Sequence, residues 1–118
     1  MSEEDCVFCK IVNGKIPCSK VWEDKNFIAF ADIKPVRRGH TLIVAKKHFD
    51  SLMDLNEEIS QKYISAVKDV AKVLIKKYNA DGFNIVINTG EAAGQVVKHV
   101  HFHIIPRKHG DKKRRIFL

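Results

Sequence analysis

Apolar residues fall along the chain in short runs that change period once. Val21-Trp22-Glu23 and Phe27-Ile28-Ala29-Phe30 flank a polar turn, Asp24-Lys25-Asn26, and predict two short strands. Lys34-Pro35 and Arg37-Arg38-Gly39 punctuate the chain before Thr41-Leu42-Ile43-Val44-Ala45, an unbroken run that predicts a third, buried strand. Over residues 55–78 the period lengthens. Ile59, Tyr63, Val67, Val70 and Leu74 recur every three or four positions, the stripe of one long amphipathic helix. Asp54 or Asn56 can cap its start, Glu57 and Glu58 suit the positive end of its dipole, and Asn79 and Gly82 end it. Residues 83–88 predict a fourth strand, and 89–94 a loop carrying Gly90 and Gly94. Residues 96–105 predict a fifth strand stopped by Pro106.

Five strands with a single long helix between the third and fourth predict an α+β domain with a mostly antiparallel five-stranded sheet, not alternating βαβ units. No repeat or linker interrupts the pattern. Residues 1–111 read as a single domain and 112–118 as a basic C-terminal tail.

Composition adds limits. At 118 residues, 45% hydrophobic and 30% charged, the chain can build an ordinary globular core. No apolar run reaches the roughly 20 residues that a bilayer-spanning helix needs. The opening MSEEDCVFCK is acidic and lacks an apolar stretch, so no signal peptide is expected and a cytoplasmic setting is. The net charge is +7, and Lys108, Lys112, Lys113, Arg114 and Arg115 against Asp111 place +4 of it after residue 107. Such a balance suits a phosphate-bearing partner. The near-neutral body, and a tail with no interleaved aromatic residues, argue against nucleic acid.

Cys6, Cys9 and Cys18 make an odd count, which speaks against a disulfide scaffold. Cys6-Val-Phe-Cys9 has the C-x-x-C spacing but does not follow a strand, as a thioredoxin-like motif would. Either it is a pair of buried free thiols, or it is half of a zinc site whose other ligands must be mostly histidines.

The most informative stretch is His99-Val100-His101-Phe102-His103-Ile104-Ile105. On a strand, alternate side chains share a face, so three histidines point one way and Val100, Phe102 and Ile104 the other, into the core. Three readings compete: a solvated polar face, a three-histidine metal site, and phosphorus chemistry. In the last, a neutral imidazole is the nucleophile and a neighbouring histidine binds the phosphate or passes a proton. The loop from Gly90 to Gln95 favours phosphorus chemistry, because a glycine-containing loop can turn N–H groups toward an anion, and Gln95 and Asn88 add neutral donors.

These residues resemble the histidine triad (HIT) family, in particular small prokaryotic-type members related to the Hint and Fhit branches. The alternation of His99 to Ile105 carries the likeness. So do Phe8-Cys9-Lys10-Ile11-Val12, Ile16-Pro17, Ala29-Phe30-Ala31-Asp32-Ile33, Gly39-His40-Thr41-Leu42, Lys47-His48 and Gly94-Gln95-Val96-Val97-Lys98-His99. The resemblance implies a homodimer whose two sheets join, and attack on the α-phosphate of a nucleotide derivative with release of a nucleoside monophosphate. His101 would be the nucleophile, with His103, Gln95 and His40 completing the catalytic set. His103 and Asn88 would contact the phosphate, Gln95 would lie near the leaving group, and His40 would support the triad by hydrogen bonding. Asp32 would hold the ribose, and Phe8, Ile11, Ile16, Phe30, Leu42 and Val97 would line the site of a purine nucleotide. Similar members complete a structural zinc site at positions that here are Cys6, Cys9, His48 and His99. Val96 stands where many relatives carry a serine or threonine that helps orient the leaving group. The competing functional readings are a non-catalytic nucleotide-binding dimer and a metallohydrolase using the three histidines.

Overall fold

The structure, a computed structural model, describes residues 5–111. The tail predicted over 112–118 lies outside the described residues. A short helix α1 (Val7–Val12) is followed by strands β1 (Lys20–Glu23), β2 (Phe27–Ala31) and β3 (Thr41–Ala45). The long helix α2 (Glu57–Tyr78), then β4 (Gly82–Val86) and β5 (His101–Arg107), complete the domain. The strands form a single sheet in the order β1-β2-β3-β5-β4, with every pairing antiparallel. The α+β class and the five-stranded sheet with one long helix are therefore as the periodicity predicts.

Helix α2 starts two residues later than the 55 that the period suggests, because Asn56, one of the two candidate caps, sets its start. The side chain of Asn56 accepts the Ile59 N–H at 2.9 Å, and Asn79 ends the helix in the left-handed region at φ 51°. Its stripe, including Tyr63, Val67, Val70 and Leu74, packs with Phe27, Ile43, Val100, Phe102 and Ile104 to form the main core on one face of the sheet. The Tyr63 hydroxyl donates to the Ile43 carbonyl at 2.5 Å, with the Val100 carbonyl at 3.3 Å. That hydroxyl ties the helix to β3 and to the residue between His99 and His101. The opposite face carries a second cluster built from Phe8, Cys9, Ile28, Phe30, Leu42 and Val44, and α1 covers it.

Two expectations are corrected, and one element is new. The fourth strand is Gly82–Val86, not 83–88, its last ladder partner being Val86 opposite His103. The periodicity gives no sign of α1, because six residues are too few to show a helical stripe. The fifth strand is not 96–105. It begins at His101 because β3 ends at Ala45 and its last ladder partner is Val44 opposite His101. The Val100 N–H instead donates to the Phe49 carbonyl at 2.7 Å. The strand runs through Pro106 because β3 stops pairing at Thr41 opposite Ile104, so no ladder on that side requires the proline's missing N–H. Pro106 still pairs with Phe83 of β4.

Candidate active site

Antiparallel register places Leu42 opposite His103 and Val44 opposite His101. The α1-covered face of the sheet therefore reads Ile28 and Phe30, Leu42 and Val44, then His101 and His103. Phe8 of α1 closes over this row, its ring centroid 5.0 Å from His101 and 5.8 Å from Phe30. His101 and His103 share the face as alternation requires, their rings 5.1 Å apart. His99 precedes the strand and turns toward the cysteines.

The hydrogen-bond partners assign each ring's tautomer. His101 Nδ1 lies 2.7 Å from the His99 carbonyl, which can only accept, so Nδ1 carries the proton. Nε2 is left with its lone pair, and no hydrogen bond forms at it among the described residues. The Val36 backbone N–H donates to His40 Nδ1 at 3.1 Å, which places the His40 proton on Nε2. That Nε2–H faces His103 Nδ1 at 2.9 Å, with Asp32 Oδ2 at 3.4 Å. His103 Nδ1 is then an acceptor, and its own proton sits on Nε2. One unprotonated nitrogen and one N–H donor are thus fixed on neighbouring rings.

Burial keeps these rings neutral. His103 is pushed down to about 4 by loss of solvent, with the His101 and His40 charges acting the same way. Burial likewise lowers His101 and His40, opposed in both cases by the nearby Asp32 carboxylate. A neutral His101 is the form that can attack phosphorus.

The second grouping lies alongside. Cys6 caps α1, and Cys9, one turn later, presents its thiol on the same side. Cys6 Sγ is 3.2 Å from His99 Nδ1, and Cys9 Sγ is 3.2 Å from His48 Nδ1 and 3.5 Å from His99 Nδ1. All four ligand atoms lie within 4.8 Å of one another. Arms of about 2.0–2.3 Å in a tetrahedron give edges of roughly 3.3–3.8 Å, so the donor set fits a closed Cys₂His₂ metal centre. Both rings have the correct tautomer for it. His99 Nε2 donates to the Ala45 carbonyl at 2.6 Å, and His48 Nε2 donates to Asp50 Oδ1 at 2.8 Å, which leaves both Nδ1 lone pairs for a metal. Burial holds His99 down at about 4, again in the neutral form a ligand needs.

This arrangement removes the three-histidine metal reading, since His99 does not converge with His101 and His103. A grouping of Asp32, His40 and His103 does occur. Its 2.9 Å nitrogen–nitrogen separation is a hydrogen-bond length, shorter than the roughly 3.3 Å edge between two nitrogens on tetrahedral zinc.

The remaining predicted residues are placed as follows. Gln95 is buried, and its amide is used within the loop. Its Oε1 accepts from the Gly90 N–H at 2.9 Å, and its Nε2 donates to the Asp50 carbonyl at 2.5 Å and to Val97 at 3.0 Å. The N–H groups of Ala93, Gly94 and Gln95 also close the loop on itself. Asp32 Oδ1 accepts the Lys34 N–H at 2.9 Å, and its other oxygen faces His40. Phe8, Phe30 and Leu42 are core members of the covered-face cluster, with Ile11 and Val97 packed against it. Ile16 is half-buried outside that cluster, and Asn88 lies just beyond β4, in the loop before Gly90. Asp50 and Tyr63 do work that the sequence reading did not assign. The His48-Phe-Asp50 spacing is the signal that would have found the first.

Comparison with known proteins agrees with this geometry. A HIT domain profile matches residues 13–110. An uncharacterised HIT-like protein of Methanocaldococcus jannaschii is 51% identical over 106 residues, covering 90% of this chain and 81% of the relative. An adenosine 5'-monophosphoramidase of Schizosaccharomyces pombe is 41% identical over 102 residues, covering 86% of this chain and 74% of the relative. The crystal structure of a zinc-bound histidine triad family protein from Mycobacterium smegmatis superposes with a TM-score of 0.89 at 40% identity, covering 98% of this chain and 85% of that one. With its histidine strand, its sheet order and these likenesses in agreement, the chain belongs to the HIT family.

Proposed function

We propose that this protein hydrolyses or transfers the nucleotidyl group of nucleoside phosphoramidates or dinucleoside polyphosphates through a nucleotidyl-histidine intermediate on His101. The observation that carries the reading is the fixed tautomer of that ring. Its Nδ1–H is held by the His99 carbonyl, so Nε2 presents a lone pair at neutral pH. In the first step that lone pair attacks the α-phosphorus, a P–N bond forms, and the bond to the leaving group breaks, the leaving amine or polyphosphate keeping the electron pair and taking a proton from solvent where its basicity requires one. The ring gains positive charge as it does so, and the carbonyl already on Nδ1–H stabilises it. His103, whose Nε2–H is set by His40, donates to a phosphoryl oxygen. Water then attacks the same phosphorus, a P–O bond forms, the P–N bond breaks with its electron pair returning to His101 Nε2, and water's proton passes to solvent, releasing a nucleoside monophosphate and restoring the neutral imidazole. The name of the S. pombe relative supports a nucleotide substrate of this class.

In the same reading, Asp32 sits at the ribose, Asn88 at the phosphate end, and the apolar row with Phe8, Ile11, Ile16 and Val97 against the base. Cys6, Cys9, His48 and His99 would hold zinc, which would supply a crosslink pinning α1 and the covered face to the histidine segment. A second copy of the chain would pair along the open edge of β4, beside which Phe83 and Ile85 are partly exposed. A panel of adenosine and guanosine phosphoramidates and dinucleotides, assayed for monophosphate release, tests the proposal. Wild-type protein is expected to release monophosphate, and His101→Asn to lose at least a thousandfold in rate while still binding nucleotide. A variant retaining more than about a tenth of wild-type rate would remove His101 as nucleophile.

A further inference from the structure

Away from the histidines, the C-terminal end of α2 meets the loop before β3 and the end of β5. The groove between them has a volume of about 310 Å³ and is lined by Arg37, Arg38, Lys77, Tyr78, Pro106 and Lys108 among others. Among the described residues no acidic side chain lines it. Two of its cations stand on the aromatic ring, with the Arg38 guanidinium and the Lys77 ammonium each 5.5 Å from the Tyr78 centroid. Arg37 is anchored through Nη1 to Asp111, and its Nε is buried without a hydrogen-bond partner. Among the described residues no carboxylate lies in ion-pair range of Arg38, Lys77 or Lys108. The negative end of the α2 dipole, at its C-terminus, offsets part of this charge but amounts to about half an elementary charge. Three uncompensated cations outweigh it.

We infer that this groove is an anion site for an oligophosphate, with Arg38, Lys77 and Lys108 supplying the charge. Three cations on three different elements match the greater charge and the more numerous acceptor oxygens of a diphosphate or triphosphate chain better than those of a single phosphate group. A planar guanidinium and two ammonium groups are the usual donors to such chains. The groove is also joined to the candidate active site through backbone. Gly39, at φ 89°, packs so closely that an added Cβ would lie 2.9 Å from the Tyr78 ring and 3.0 Å from Pro106. The next residue is His40, whose N–H donates to the Arg37 carbonyl.

The test is a titration of full-length, ¹⁵N-labelled protein with inorganic diphosphate and triphosphate at about 0.15 M salt, read by amide chemical shifts. It needs no catalytic assay, so it stands or falls independently of the proposed activity. Saturable shifts are expected at Arg38, Gly39, His40, Tyr78 and Lys108. They should weaken about tenfold in the double variant Arg38→Gln, Lys77→Gln. A control with the same change in charge on the exposed middle of α2, Lys68→Gln with Lys72→Gln, should alter affinity by less than twofold. Shifts confined to His101 and His103 would overturn the assignment, as would equal weakening in both double variants or no binding at millimolar diphosphate.

Discussion

Replacing His40 by leucine tests the relay of tautomers most finely, because it removes a positioning residue and leaves the nucleophile in place. His40 is almost wholly buried and makes two defined contacts, accepting from the Val36 N–H at 3.1 Å and meeting His103 Nδ1 at 2.9 Å. Leucine fills similar volume but offers neither group. Val36 is 42% exposed, so its freed N–H can meet water, and the cost is that of one ordinary hydrogen bond, about 1 kcal/mol of stability. At about 2.1 cal/mol/K of unfolding entropy per residue, a chain of this length carries roughly 0.25 kcal/mol/K, and the melting temperature should fall by about 4 °C. The effect on rate arises separately. Without a donor at Nδ1, His103 no longer holds its proton on Nε2, and one hydrogen bond worth about 0.5–1.5 kcal/mol is no longer fixed in the transition state. That corresponds to a loss of up to about tenfold in kcat, with little change in KM. Steady-state kinetics well below the variant's melting temperature separate this from unfolding. His40→Gln can accept from Val36 and donate to His103, and should return to within about threefold of wild type. A leucine variant with wild-type kcat, or one as inactive as a His101 variant, would refute the relay.

Three further outcomes follow from the same geometry. Purified protein should carry about one zinc per chain, and Cys9→Ser should lower both zinc content by metal analysis and melting temperature; metal-free protein that is fully folded but inactive, and regains activity with zinc, would contradict a structural role. Asp32→Ala should raise KM for ribonucleotide substrates about tenfold or more and affect 2'-deoxy analogues less, a comparison that fails if both sugars lose equally. Because His103 sits near 4 when folded, below the usual 6.5, the unfolded chain binds its proton first. Stability from this residue is therefore present above about 6.5 and is lost as pH falls toward 4. Urea midpoints at pH 7 and 5 should show a smaller acid loss for His103→Gln than for wild type.

Much of this architecture is legible in the sequence because it rests on local period. The stripe from Ile59 to Leu74 fixes α2, and the alternation of Val100, Phe102 and Ile104 fixes the buried face of the histidine segment. What period cannot show is where a partner strand runs out. His99 lies two residues before His101, yet β3 ends opposite His101 and Val100 bonds to Phe49, so His99 leaves the ladder for the cysteines. The contacts that assign tautomers are equally silent in the sequence, whether they are two or four residues long, as for His101 and His40, or 54 residues long, as for His99. The His99 carbonyl, the Val36 N–H and the Ala45 carbonyl are backbone groups with no signature in side-chain type. Gln95 reads as a phosphate donor from its neighbours, and the folded loop commits its amide to Asp50, Val97 and Gly90.

The central claim is a covalent bond to one nitrogen of one histidine, and intact-mass analysis of rapidly quenched protein tests it most directly. Protein mixed with an adenosine phosphoramidate or diadenosine polyphosphate and quenched under alkaline denaturing conditions should gain the mass of one adenylyl group, with fragmentation placing it on His101. The adduct should be acid-labile, as a phosphorus–nitrogen bond is, and absent from His101→Asn. Turnover by the wild-type protein with no adduct at any quench time, or an adduct mapped to another residue, would contradict the account.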